Sequence, residues 1–135
     1  MFTLIIPSVR RGIKKHKIMN LKEKIEDLNQ MILQGKNIDA FEKYYHKDVV
    51  MQENNQAPTV GKDSNREREI QAMEMIEAYH SAEVKATAIG DNVTMTEWEM
   101  DLTYKGAPRS IMYQVSVQRW KEGQIIHERF YYPSN

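Results

Sequence analysis

The sequence predicts an α+β domain in which three N-terminal helices precede a curved antiparallel sheet of four to six strands. Apolar residues repeat every three to four positions over residues 20–80, whereas from residue 81 the period changes to two. Three turn segments, at residues 90–91, 105–108 and 121–123, then divide the second half into strands. These strands, of about nine to thirteen residues, must twist, so helices packed on one face would leave a conical hollow.

The first helix begins at a capping-box pair. Asn20 precedes Glu23 by three positions, the spacing at which each side chain can cap the backbone N–H of the other residue. Apolar residues then recur on one helix face, at Leu21, Ile25, Leu28 and Ile32. Gly35 predicts the end of this helix, because glycine readily adopts the left-handed conformation that follows a helix C-terminus.

Two further helices are predicted from similar signals. Asn37 is placed to cap a short helix over residues 38–46. Ser64 and Glu67 repeat the capping-box spacing, and the apolar repeat after them predicts a third helix that continues to His80. The many charges of this third helix indicate that one of its faces is solvated.

The remaining segments are predicted as strands and loops. Residues 48–54 favour a short strand before the third helix, and residues 54–63 have the composition of a loop. Alternating patterns after the third helix predict four more strands, over residues 82–89, 92–104, 109–120 and 124–132. Helices followed by an antiparallel meander are typical of the α+β class.

Composition excludes several classes of function. Lys and Arg number 19 and so do Asp and Glu, but residues 1–18 hold five basic residues and no acid. The rest of the chain is therefore acidic, with 14 basic against 19 acidic residues, which argues against binding nucleic acid. The longest apolar run, LIIP, is too short to span a membrane. Without cysteine, disulfides, thiolate nucleophiles and thiolate metal sites are excluded.

No metal and no cofactor are expected. The four histidines lie at positions 16, 46, 80 and 127, without the spacing of paired metal ligands. No glycine-rich phosphate loop and no calcium-binding loop is present in the sequence. Cytoplasm is the expected location, since the chain carries no recognisable secretion signal.

Residues 1–18 stand apart from a single domain predicted over residues 19–135. Their apolar part precedes their basic part, which reverses the usual order of a secretion signal. Three interpretations are open: a disordered basic arm, a weak targeting segment, or a start codon placed too early. We favour the last, because Met19 directly precedes a well-formed helix start.

Three segments carry a family resemblance. They are GKNIDAFEKYYHKDVVMQEN at residues 35–54, VGKDSNREREI at residues 60–70 and VQRWKEGQIIHERFYY at residues 117–132. In order and spacing they resemble the nuclear transport factor 2-like superfamily, specifically its SnoaL-like and ketosteroid isomerase-like branches. The resemblance implies a cone-shaped, cystatin-like α+β barrel with a deep pocket between the helices and the concave sheet. It also implies a homodimer formed through the outer sheet face.

The resemblance further implies which residues carry chemistry. Matching the ketosteroid isomerase pattern places its general base at Glu53, while its two oxyanion donors fall at Asn29 and Ser116. The isomerase has a tyrosine and a protonated aspartate at these two positions, so both strong oxyanion donors are missing here. Since such donors are typically worth a few kcal/mol each, steroid isomerisation by the known mechanism is not expected. Glu128 on the final strand resembles the acid/base aspartate of the SnoaL-like cyclases. Their histidine falls near Gln114, which cannot shuttle a proton.

The same matching assigns the strand faces. The predicted ligand-binding residues point into the cone and are Trp98, Met100, Gln114, Ser116, Gln118, Phe130 and Tyr132. This row is too polar for a simple core, because a buried polar group without a partner costs about 1–3 kcal/mol. The opposite facing, with Tyr113, Val115 and Val117 inside, stays open; on the favoured facing these three form the dimer seam. His127 and Glu128 are adjacent on a strand, so they point to opposite faces.

We therefore expect a small-molecule pocket protein of the SnoaL-like type. As an enzyme it would use cofactor-free acid/base chemistry on a small hydrophobic carbonyl compound, as an isomerase, cyclase or hydratase. Glu53 is the predicted base and Glu128 its partner, since two carboxylates in an apolar hollow raise one pKa towards neutrality. The alternative is that each is neutralised by an arginine, such as Arg119 or Arg129, or reaches water. A non-catalytic ligand carrier and a protein-interaction module of the same fold are the other functions left open.

Overall fold

The computed structural model describes residues 18–134 as three helices and six strands. Of the arm predicted for residues 1–18, only Ile18 is among the described residues. The helices are α1 (Leu21–Leu33), α2 (Asn37–Tyr44) and α3 (Lys62–Glu74). The strands are β1 (Tyr45–Glu53), β2 (Thr59–Val60), β3 (Ile76–Gly90), β4 (Val93–Tyr104), β5 (Ser110–Lys121) and β6 (Gln124–Tyr131).

Helix α1 begins as the sequence predicts. The Glu23 backbone N–H donates to Oδ1 of Asn20 at 2.8 Å, and the Asn20 backbone N–H donates to Oε1 of Glu23 at 3.3 Å. This reciprocal pair satisfies two N–H groups that a helix start would otherwise leave unpaired. Ile25 and Leu28 are buried on the face that the apolar repeat predicts.

The starts of α2 and α3 differ from the predicted caps. Asn37 is the first residue of α2 and not its cap, and the N-terminal cap of α3 is Gly61. Gly61 adopts a φ of 96°, which glycine tolerates without strain, so the helix begins two residues before Ser64. The buried Asn65 side chain then donates to the carbonyls of Val49, Thr59 and Gly61, at 2.8–3.2 Å. These bonds tie the helix start to strands β1 and β2.

The predicted continuation of α3 to His80 is wrong. The helix ends at Glu74, and residues 76–80 form the beginning of β3. Strand β4 extends to Tyr104, which lies opposite Ile76, so β4 offers this segment strand partners along its length. Tertiary pairing therefore overrides a helical pattern that is weak to begin with. Three register shifts along β3 bend the long strand.

The predicted fold class is confirmed. The six strands form one curved, open sheet in the order β2-β1-β6-β5-β4-β3. All neighbouring pairs are antiparallel except β1 and β6, which run parallel. The parallel pair and the short strand β2, which forms within the predicted loop, are two further features that the sequence does not indicate. No helix among residues 18–134 has the length and apolarity needed to cross a bilayer.

The main core lies between the helices and the part of the sheet that includes β1 and β6. Fully buried side chains from α1, β1 and β6 meet there, including Ile25, Val49 and Ile125. The rings of Phe41 and Tyr45 pack against each other where α2 leads into β1, with centroids 4.7 Å apart and planes tilted by 38°. Burying such side chains contributes about 1.5–3 kcal/mol each and holds the helices over the sheet. This packing leaves a cavity beside it, on the concave side of β4, β5 and β6.

Candidate functional site

A cavity of about 150 Å³ lies between α1, α2, α3 and the concave face of the sheet. Its wall includes seven of the nine predicted site residues: Trp98, Met100, Gln114, Ser116, Gln118, Glu128 and Phe130. The alternation along β4, β5 and β6 therefore has the favoured facing, with the glutamines inside. Ser116 and Gln118 are buried, whereas Tyr113 on the opposite face is exposed.

Glu128 is the most deeply buried carboxylate of this wall. Only 2% of its surface is exposed. The Tyr45 hydroxyl donates to Oε1 at 2.5 Å, and Nε2 of Gln118 donates to Oε2 at 2.7 Å. Burial raises the pKa of Glu128 to about 7, although both hydrogen bonds act in the opposite direction. A carboxyl with this pKa can both give and take a proton near neutral pH.

Three strands bring the partners of Glu128 together. Strand β6 lies between β1 and β5, and Gln118 sits directly opposite Glu128 in the antiparallel pair. Tyr45 is the first residue of β1 and reaches Glu128 across the parallel pair. Burial and the nearby Glu128 carboxylate raise the pKa of Tyr45 well above its usual value. Tyr45 is therefore a neutral phenol near neutral pH.

A chain of buried hydrogen bonds continues behind Gln118. Its Oε1 accepts from the Thr94 hydroxyl at 2.8 Å, and the Thr94 oxygen accepts from Nε1 of Trp120 at 2.9 Å. Trp120, Thr94 and Gln118 are all almost fully buried. Buried polar groups are favourable only when they are paired, and here each one has a partner.

Two more polar side chains of the cavity wall come from α1 and α3. Nδ2 of Asn29 donates to the hydroxyl of the buried Thr96 at 3.2 Å, so the position matched to an oxyanion tyrosine holds an amide. Glu69 of α3 also lines the cavity and pairs with Arg68 at 3.2 Å. Burial raises the pKa of Glu69, but 28% of its side chain stays exposed, so Glu128 is the more strongly perturbed group.

Glu53 lies outside this cavity. Together with Tyr104 and Tyr132 it lines a neighbouring, more open cavity of about 510 Å³, which shares Gln114 with the central one. The Tyr132 hydroxyl donates to Glu53 Oε1 at 3.1 Å, and Arg68 pairs with Oε2 at 3.1 Å. The structure thus separates the predicted pair Glu53 and Glu128, and it places Tyr132 with Glu53.

The remaining charged groups near the last strand face away from the cavity. Arg129 donates to the carbonyl oxygen of Asn54 and lies over the Tyr131 ring. His127 is opposite Arg119 in the strand pair, and partial burial, with Arg119 and Arg129 nearby, lowers its pKa. Neither arginine neutralises Glu128, and His127 does not share its site, as the strand alternation predicts.

Sequence reasoning missed Tyr45, Glu69, Thr94 and Trp120 as parts of the site. Tyr45 belongs to the hydrophobic core, and its hydroxyl also donates a hydrogen bond to Glu128. The parallel pairing that joins the two residues leaves no local sequence signal. Thr94 had a usable signal, since it lies two positions before Thr96 and four before Trp98, and alternate residues of a strand share a face.

Comparisons with known proteins agree with this architecture. A Mesorhizobium loti protein provisionally described as a SnoaL-like polyketide cyclase is 28% identical, with a TM-score of 0.78 over 84% of this chain and 100% of that chain. A similarly described Jannaschia protein has 9% identity and a TM-score of 0.73 over 86% and 90% of the two chains. A Catenulispora acidiphila protein with a ketosteroid isomerase-like fold, solved in complex with trimethylamine, has 18% identity and a TM-score of 0.64 over 76% and 79%.

The comparisons also set the family. No curated protein matches the sequence. The Jannaschia and Catenulispora acidiphila structures are too distant in sequence to indicate more than the fold. A family model described as the SnoaL-like domain matches residues 19–132, which is nearly all of the described chain. The chain therefore belongs to the SnoaL-like domain family, within the nuclear transport factor 2-like superfamily.

Proposed function

We propose that this pocket protein binds a small neutral carbonyl compound in its central cavity and exchanges a proton with it at Glu128. The observation that carries the proposal is the burial of Glu128 among two hydrogen-bond donors, in a wall that also presents apolar and aromatic surface. A pKa of about 7 populates both forms of the carboxyl near neutral pH, as general acid/base catalysis requires. Isomerisation, cyclisation and hydration are reactions that such a group can promote.

The size of the cavity limits the ligand. Its volume of about 150 Å³ is below the usual range of roughly 300–1,000 Å³ for drug-sized ligands. An apolar cavity of similar volume holds benzene, so a ligand of roughly six to eight non-hydrogen atoms fits. A larger ligand would extend past Gln114 into the neighbouring cavity and meet Glu53 and Tyr132. In that case Glu53 remains a candidate for the second carboxylate of the reaction.

The proposal is tested with cyclohexanone in D₂O, by following exchange of the protons next to its carbonyl group by NMR. We expect the wild-type protein to accelerate exchange, Glu128→Gln to lose the acceleration, and Glu53→Gln to keep it for this small probe. The two variants are matched, because each replaces one carboxylate by its amide. Exchange at the buffer rate with wild-type protein would contradict the proposal. Loss in Glu53→Gln alone would instead support the base predicted from the sequence.

A second candidate function is binding of a small organic cation without chemistry. Glu128 and Glu69 both line the central cavity, together with aromatic rings, and none of the described residues in its wall is Lys, Arg or His. Carboxylates and aromatic faces are the groups that hold quaternary ammonium ligands. The Catenulispora acidiphila protein in complex with trimethylamine is an instance of the same fold with a small amine bound. It predicts that trimethylammonium binds more tightly at about pH 8 than at about pH 6, where Glu128 is largely neutral.

We also propose that the protein is a cytoplasmic homodimer joined through the outer sheet face. On that face Tyr113 of β5 and Tyr131 of β6 are exposed, close to the half-buried Val115 and Val117. Val115 lies directly opposite Tyr131 in the β5–β6 pair, so these side chains form an apolar strip along β5, which Glu97 and Glu99 of β4 and Arg129 of β6 flank. Exposed apolar strips of this kind favour burial against a second surface.

A further inference from the structure

The hydrogen bonds around Glu128 have a direction. The carboxylate can only accept, so Gln118 must present Nε2 to it and turn Oε1 towards Thr94. Thr94 then has to donate its single hydroxyl proton to Gln118. Its oxygen is free to accept from Trp120, whose Nε1–H can only donate.

The reverse direction is disfavoured by the same groups. If Gln118 turned over, Nε2 would point at Thr94 and the Thr94 oxygen would have to accept from both Gln118 and Trp120. The Thr94 proton would lose its acceptor in a position that is completely buried. Oε2 of Glu128 is therefore held as an acceptor in both protonation states. When Glu128 binds a proton, that proton belongs on Oε1, facing Tyr45.

We propose that Tyr45 is the catalytic residue that passes the proton between Glu128 and the ligand, and that Thr94 and Trp120 are positioning residues that restrict the Glu128 proton to Oε1. When Glu128 is ionised, the Tyr45 hydroxyl donates to it and is not available to a ligand. When Oε1 is protonated, Tyr45 accepts from it and turns its own proton into the cavity that it lines. This inference rests on the proposed function and names the ligand class as a molecule with an accepting oxygen, such as a carbonyl.

The proton-transfer step balances in protons. The Tyr45 hydroxyl proton moves to the ligand oxygen while the Oε1 proton of Glu128 moves to the Tyr45 oxygen. Tyr45 ends unchanged, Glu128 becomes a carboxylate, and the ligand gains one proton. The other charged groups that act on Glu128 are Glu69 and Arg68 of α3. Helices α1 and α2 add only Asn29 and Asn37 as polar cavity residues, and neither titrates.

The inference is tested without a ligand, by NMR of the intact protein labelled at the hydroxyl-bearing ring carbon of tyrosine. The Tyr45 signal, assigned from Tyr45→Phe, should move as Glu128 is protonated, because its hydroxyl changes from donor to acceptor. In Glu128→Gln the signal should stay at the low-pH position throughout. In that variant the introduced amide oxygen accepts from Gln118 and the introduced NH₂ group donates to Tyr45, as the protonated carboxyl does.

Thr94→Val and Thr96→Val form a matched pair, because both threonines are buried on β4 and each takes part in a buried hydrogen bond, but only Thr94 belongs to the chain. With Gln118 free to turn over in Thr94→Val, the proton divides between Oε1 and Oε2, and the Tyr45 shift should fall to about half. Thr96→Val and Thr94→Ser, which keeps the hydroxyl, should show the full shift. Trp120→Phe is the substitute if Thr94→Val does not fold.

The possible outcomes distinguish the Tyr45 relay, the positioning role of Thr94 and Trp120, and the proposed acid/base function. If Glu128, followed by its own carboxyl carbon, titrates near neutrality while Tyr45 does not respond, the relay is wrong and the proposed function stands. If Tyr45 responds equally in all the threonine variants and in Trp120→Phe, the positioning role of Thr94 and Trp120 is wrong. If Glu128 does not titrate between about pH 5 and pH 8, both the relay and the proposed acid/base function are overturned.

Discussion

Tyr45 and Glu128 are separated by 83 positions in the sequence, yet the Tyr45 hydroxyl donates a hydrogen bond of 2.5 Å to Oε1 of Glu128. Both residues are almost fully buried, and both line the central cavity. The bond joins the start of β1 to the middle of β6, across the single parallel pair of the sheet. The bond therefore depends on the complete fold. It lowers the pKa of Glu128, which burial raises.

Replacing Tyr45 by Phe should raise the pKa of Glu128 further. The Tyr45 hydrogen bond lowers this pKa, and a bond to a charged group is worth about 1.5–3 kcal/mol, which corresponds to a rise of about one to two pKa units on its removal. Carboxyl-carbon NMR of Glu128 measures the change. Tyr44→Phe is the matched control, because the Tyr44 hydroxyl donates to Asp27 instead. An unchanged Glu128 pKa in Tyr45→Phe would contradict the role of this bond.

The stability of the protein should depend on pH through Glu128. Its folded-state pKa of about 7 exceeds the ordinary value of 4.5, so between these values the folded protein binds more protons than the unfolded chain. The contribution of Glu128 to the free energy of unfolding is therefore greatest below about pH 4.5 and declines as the pH rises through about 7. The loss is on the order of 3 kcal/mol.

Urea unfolding of wild type and Glu128→Gln at about pH 5 and pH 8 checks this dependence. The free energy of unfolding of Glu128→Gln should lack the decline with pH. The difference in this free energy between the variant and the wild type should therefore shift in favour of the variant as the pH rises. Glu53→Gln serves as the control, because the Glu53 side chain is 38% exposed and paired with Arg68. This variant should keep the wild-type dependence of the free energy of unfolding on pH. Parallel slopes for wild type and Glu128→Gln would show that the buried carboxyl does not titrate in this range.

Asn65 should contribute more to stability than its neighbour Ser64. Asn65→Ala removes the donors to three carbonyl oxygens around the start of α3, and a buried group left unpaired costs about 1–3 kcal/mol. Ser64 is exposed and does not cap the helix, so Ser64→Ala should change stability by less than about 0.5 kcal/mol. Urea unfolding measures both variants. A larger loss in Ser64→Ala would restore the cap predicted from the sequence.

Tyr113→Glu should convert the proposed dimer into a monomer, because it places a charge in the middle of the outer apolar strip. Static light scattering at several protein concentrations measures the mass. Tyr79→Glu is the control, since Tyr79 is similarly exposed, at 50% against 57% for Tyr113, but lies beside α1 and α3. A wild-type protein that is monomeric at every concentration would remove the proposed interface.

Local patterns predicted much of the fold because they reflect local physics. The capping box at Asn20 and Glu23 involves residues three positions apart, and strand alternation places Gln114, Ser116 and Gln118 on one face whatever lies beyond it. The end of α3 could not be predicted in the same way. Residues 76–80 are strand because Tyr104 and its neighbours pair with them, and that partner lies far along the chain.

The candidate site likewise has some features that the sequence predicts and others that only the tertiary structure shows. By itself the sequence determined the α+β class and which residues of each strand share a face, because period and residue type depend on near neighbours. Which of the two faces lies inside was an expectation from the family resemblance, and the tertiary structure decided it by placing Gln118 and Glu128 in the cavity wall. Only the tertiary structure decided that Glu53 lies in a different cavity, that Tyr45 reaches Glu128 and that Trp120 and Thr94 stand behind Gln118. Those relations depend on strand order, on register and on burial. Burial, the main cause of the raised pKa of Glu128, exists only after β6 has been enclosed between β1 and β5 beneath the helices.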